Sequence, residues 1–128
     1  MLQLIDDLRR DLSLEAYAAQ QRKFVELCQN CGVPPQNLAF FGVISCPGIS
    51  DIDAVVIAPA EALRRVREEF SAQSRSAPDF AYPFWHEPVY ILEPVLSEAA
   101  CLHSLADLQP VAGSGAAAEL AARSGTEK

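Results

Sequence analysis

Positive charge is scarce in this chain. Ten Lys and Arg stand against 17 Asp and Glu, for a formal net charge of -7. Holding nucleic acid by phosphate neutralisation needs clustered basic residues, so nucleic acid is a disfavoured partner. A metal-bridged nucleotide is a different matter, because bound cations reverse the local sign. The two histidines, His86 and His103, are single and unlinked to any nucleophile motif, so neither is assigned a catalytic role. No Gly-Lys-Ser/Thr follows Gly42 or Gly48, which excludes a P-loop. There is no internal repeat, and no apolar run approaches membrane-spanning length. No charged segment followed by an apolar stretch opens the chain, and the expectation is a cytoplasmic protein with no membrane contact.

Cysteine is sparse too. Cys28-Gln29-Asn30-Cys31 has the spacing of a metal or redox dithiol, but Cys46 and Cys101 are isolated and offer no second pair. Cys28 and Cys31 continue the apolar stripe begun by Phe24 and Leu27, so they read as structural thiols of a buried helix face. A cytoplasmic setting argues against disulfides.

What is present is globular composition: half of the 128 residues are hydrophobic and 21% are charged. That length suits one domain with a real core. Leu4, Ile5, Leu8 and Leu12 predict a short amphipathic helix, able to pack on the domain or to meet a partner protein or a second copy. Ser13 is a good N-cap for a helix from about Leu14 to Cys31, ended by Gly32-Val33-Pro34-Pro35. Leu38 to Ile44 and Ile52 to Ala58 read as two short buried strands. Pro59 suits the first position of a helix from Ala60 to about Ser71, with Leu63, Val66 and Phe70 inward. Its Arg64, Arg65, Arg67, Glu68 and Glu69 read as a solvated face, from which a basic residue reaches a phosphate only if the helix borders a site.

Residues 72–79 read as a loop, and the aromatic run 80–88 as a packed loop or, less readily, a stacking wall for a base. Val89 to Val95 has the composition of a third strand. Ser97 caps a helix bearing Leu102, Leu105 and Leu108. Helix, strand, strand, helix, strand, helix predicts an α+β domain with a small mixed sheet over residues 1–109. Residues 110–128 read as an Ala/Gly-rich tail with a marginal helix.

The chemistry concentrates between the first two strands. Gly42 closes the first apolar run, Cys46-Pro47-Gly48 punctuates a tight connection, and Ser50-Asp51-Ile52-Asp53 leads into the second. Strand side chains alternate, so Asp51 and Asp53 share one side about 7 Å apart. Two carboxylates so placed are costly unless a divalent cation lies between them.

On Gly42 and Ser50-Asp51-Ile52-Asp53 followed by an apolar strand, the chain resembles the nucleotidyltransferase superfamily of the DNA polymerase β type, over roughly Tyr17 to Leu96. Its members carry Gly-Ser or Gly-Gly at the end of one strand and Asp-x-Asp on the next. The resemblance implies that Asp51 and Asp53 hold two Mg²⁺ ions against the triphosphate of an NTP. It also implies transfer of a nucleoside monophosphate to an acceptor, which here is unspecified and could be a protein. Gly42 would let backbone N–H groups approach the phosphates, with Ser45 or Ser50 as hydroxyl donors. Glu93 looks like the third metal carboxylate, with Glu87 as the fallback. Val43 stands where the family has Ser or Gly, which removes one phosphate donor. That departure motivates an alternative: a catalytically inactive relative serving as a regulatory or antitoxin-type binding module. A third reading is an unrelated interaction domain whose Asp pair caps a turn.

Overall fold

The computed structural model describes residues 14–41, 52–77, 84, 87–95 and 108–126. Its first element, α1 (Leu14–Asn30), buries Tyr17, Gln20, Phe24, Leu27 and Cys28 on one stripe. The spacing of three and four residues explains why one face sinks and the other stays wet. Gly32, at φ +88°, ends it. Its N–H donates to the Gln29 carbonyl at 3.0 Å, and the Val33 N–H donates to that of Cys28 at 2.9 Å. This pairing is a Schellman cap, and the positive φ is what requires glycine there.

A 3₁₀ turn at Pro35–Asn37 leads into β1 (Leu38–Phe41). The Asn37 side-chain amide donates to the Ile57 carbonyl at 2.7 Å and ties this turn to the end of β2 (Asp53–Ala58). The helix after Pro59, α2 (Ala60–Ser76), outruns the expected end near Ser71. No residue before Pro78 breaks it, and contacts between residues four apart, Gln73 to Glu69 and Arg75 to Ser71, brace the added turn. β3 is Val89–Leu92, shorter than expected. Pro94 cannot donate a ladder hydrogen bond, and Glu93–Val95 becomes a 3₁₀ turn instead. β4 (Gln109–Pro110) and α3 (Ala116–Thr126) complete the described chain.

The sheet is mixed, in the order β3-β2-β1-β4. β1 pairs antiparallel with β2 and with β4, while β2 pairs parallel with β3. The domain is therefore α+β, as expected. Strand alternation splits the core between the two sheet faces. On the first face Leu38, Ala54, Val56 and Ala58 pack with Phe24, Val66 and Phe70 of α1 and α2. On the second, Ala39, Val55, Ile57 and Ile91 pack with Ala117 and Leu120 of α3.

Two expectations need correction here. The segment after Pro110 is not an appended tail: Pro110 pairs with Ala39, and Leu120 is fully buried. Alanine, which carries little hydrophobic surface, understates a helix that needs a close approach to small-residue strands. Residues 72–76, expected in a loop, are helical. The predicted helices at 1–12 and 97–107 lie outside the described residues, apart from Leu108, which packs on the second core.

Candidate functional site

The β1–β2 register fixes where the Gly-to-Asp connection sits. Leu38 pairs with Val56 and Phe41 with Asp53, so the connection leaves and re-enters the sheet at one point. Gly42, Ser45, Ser50 and Asp51, with Val43, belong to that connection and lie outside the described residues. Asp53 is half-buried at the first position of β2. Its partner Phe41 packs on the second core, which places Asp53 on the α3 side of the sheet.

Glu93 does not join it. The parallel register pairs Val55 with Val89 and Ala58 with Leu92. Glu93 follows Leu92 and so stands level with Pro59, six positions beyond Asp53. At about 3.3 Å per residue the two are roughly 20 Å apart along the sheet. No single metal cluster spans that distance. Glu87 precedes β3 by two residues, nearer the Asp53 end of the sheet, but its side chain lines a cleft with α2 whereas Asp53 lies on the α3 side. Sequence composition favoured Glu93 because it is the sole charge inside the apolar run; only the register distinguishes the two ends of that run.

The Glu87 side chain is exposed and faces a cleft on the α2 side, at the edge of the sheet. This cleft, of about 450 Å³, is lined by Arg64, Arg67, Glu68, Ser71, Arg75 and Glu87. Arg64 is held by Glu61 at 2.6 Å and Glu68 at 2.7 Å, which raises its already high pKa. The Tyr90 hydroxyl is buried with no hydrogen-bond partner among the described residues. Burial chiefly, then Glu87, pushes its pKa up, while Arg67 opposes.

The dithiol is elsewhere. Cys28 and Cys31 are free and buried at the C-terminal end of α1. Burial pushes both thiols up, Cys28 strongly, with Cys31 adding to the rise at Cys28. Reactive thiolates need the opposite surroundings, a helix N-terminus or neighbouring cations, so these are core side chains. Among the described residues no three His, Cys, Asp or Glu side chains gather as a metal cluster, and no helix is long and apolar enough to cross a membrane. No family model, curated protein or solved structure matches this chain.

Proposed function

We propose that the chain is a Mg²⁺-dependent nucleotidyltransferase whose site lies where β1 ends and β2 begins. One observation carries the reading: the Phe41–Asp53 pairing brings the end of β1, which Gly42 follows in sequence, beside the Asp53 start of β2. The stretch that carries Gly42 in sequence therefore departs from the same end of the sheet at which the Asp53 carboxylate stands. Oxygen donors from Asp51 and Asp53 suit a hard cation such as Mg²⁺. Bound there, the metal would neutralise the triphosphate and lower the pKa of an acceptor hydroxyl.

The chain's own part is positioning. Asp51 and Asp53 orient the NTP, with backbone N–H groups near Gly42 and the hydroxyls of Ser45 and Ser50 on its phosphates. Glu93 stands at the far end of β3 and Glu87 lines a cleft with α2, so the reading rests on Asp51 and Asp53 for the metal. The acceptor oxygen bonds to the α-phosphorus, the bond to the β-phosphate oxygen breaks, and pyrophosphate leaves. The acceptor proton passes to solvent or to a carboxylate.

Calorimetric titration with the four NTPs, with and without Mg²⁺, tests this. Wild type should bind at least one NTP only with Mg²⁺, and Asp53→Asn should abolish that binding. Unchanged affinity in Asp53→Asn would sink the assignment. Binding without any transfer would move the protein to the inactive binding-module reading, for which Val43 is the motive.

A further inference from the structure

The sheet has two edges, and they are guarded unequally. At one edge β4 is two residues long and contains Pro110, which cannot donate a ladder hydrogen bond. The other edge, β3, has no such guard. Val89-Tyr90-Ile91-Leu92 holds neither charge nor proline, and no described strand pairs with its outer side. An uncharged edge strand is a template for one more strand, because half of its N–H and C=O groups point away from the sheet. Leu92 and Val95 lie at the end of β3, and they are two of the four large hydrophobic side chains exposed among the described residues.

The two faces of this strand restrict what fits it. Tyr90 packs on the first core, whereas Val89 and Ile91 pack on the second. Leu92 falls on the Tyr90 side by alternation. A second copy of the strand, antiparallel about a twofold axis through Ile91, keeps each face matched to itself. Ile91 then meets Ile91 of the second copy, and each exposed Leu92 lies across from a half-buried Tyr90. Aliphatic-on-aromatic pairs of this kind are what hold neighbouring strands together. An axis between Tyr90 and Ile91 would set opposite faces against each other instead.

Charge selects a second copy over an arbitrary strand. Glu93 follows β3 at once, is exposed and begins the 3₁₀ turn, so strand alternation does not fix its side. Arg67 of α2 stands toward the other end of β3. It lines the cleft with Glu87, two residues before the strand, and its charge is felt at the Tyr90 hydroxyl. Arg67 makes no hydrogen bond or ion pair with another described residue, whereas Arg64 is already held by Glu61 and Glu68. Antiparallel pairing carries Glu93 of each copy to the Val89 end of the other, where Arg67 is. Glu87 is the like charge that Glu93 meets there, and Arg75 on the same cleft offsets it. The edge thus has a free cation at one end and a carboxylate at the other, and two copies satisfy both at once.

We infer that two copies of this chain pair through β3, joining their four-stranded sheets into one, with Glu93 of each copy on Arg67 of the other. The inference stands apart from the nucleotidyltransferase reading. Sedimentation velocity of the full chain over a range of concentrations tests it. Wild type should pass from monomer to dimer as concentration rises, and Leu92→Lys should stay monomeric. Glu93→Arg and Arg67→Glu, both at exposed positions, should each weaken dimerisation about tenfold, since the twofold axis repeats every lost contact. The double variant Arg67→Glu/Glu93→Arg should recover most of that loss, which damage to folding would not do. A wild-type monomer at every concentration overturns the inference and leaves the edge to an extended segment of another protein. A dimer as tight in Leu92→Lys as in wild type overturns it too, because the interface then lies elsewhere. A double variant no tighter than the single ones overturns the Glu93–Arg67 pairing and with it the antiparallel arrangement.

Discussion

The two faces of the sheet are built on different principles. The first is aromatic and thick. Phe24 stands 6.1 Å from Phe40, 6.0 Å from Phe70 and 5.4 Å from Phe84, ring centre to ring centre. Phe70 meets Phe84 edge-on at 5.5 Å. Two long helices cover this face. Among the described residues the second face is thinner: Ala39, Val55, Ile57 and Ile91 meet Ala117 and Leu120 from one short helix. Large side chains hold helices away from a sheet and fill the space by shape, whereas small ones let a helix sit close. Stability on the first face thus comes from a few big residues, and on the second from the exactness of approach.

That contrast can be broken most directly at Phe24. Phe24→Ala leaves a hole at the centre of the aromatic group and should cost about 3–5 kcal/mol in urea unfolding, a large share of the roughly 5–15 kcal/mol that holds a domain folded. Leu120→Ala probes the other face. It should cost about 2–4 kcal/mol. A loss below about 1 kcal/mol would show that α3 is an ornament and the C-terminal segment a tail after all.

Closeness of approach has its own test at Gly115. It adopts φ +99°, and a Cβ there would meet the Gln36 Cβ at 2.5 Å. Gly115→Ala should destabilise by about 1–3 kcal/mol through strain and displacement of α3. An unchanged midpoint would mean that the helix is free to shift and that the second face is looser than its burial suggests.

The smallest effect is a pH dependence peculiar to the first face. Burial favours the neutral Cys28 thiol, so the unfolded chain releases that proton first as pH rises. Its contribution to stability is full below about pH 9, the ordinary thiol value, and is lost progressively above it. The slope from one such group is at most about 1.4 kcal/mol per pH unit. Tyr90, shifted in the same direction, adds to the fall above about pH 10. Cys28→Ala should flatten the decline measured by urea unfolding between pH 8 and 10.5, a range set by those two ordinary values. An equally steep decline in that variant would remove Cys28 as its source.

The amphipathic stripe of α1, its glycine stop, the β-branched strands and the start of α2 at Pro59 were all legible along the chain. Each depends on neighbours three or four residues away, or on a backbone angle that Pro or Gly sets alone. The Gly42 to Asp53 stretch was legible for a similar reason, since its spacing is local. What the sequence could not weigh was any quantity that depends on pairing between distant segments. Alanine 117 and Leu120 read as a marginal helix until Ala39 and Val55 supply the surface that buries them. Glu87 and Glu93 flank the same apolar run and are chemically alike; the parallel register of β2 against β3 alone shows that Glu93 stands far from Asp53. The arginines of α2 were visible as charge on a helix face, but only the packing of α2 beside β3 sets Arg64, Arg67 and Arg75 around one cleft with Glu87. Local periodicity is written in consecutive residues, whereas register and burial are settled by which surfaces win contact with each other across the fold.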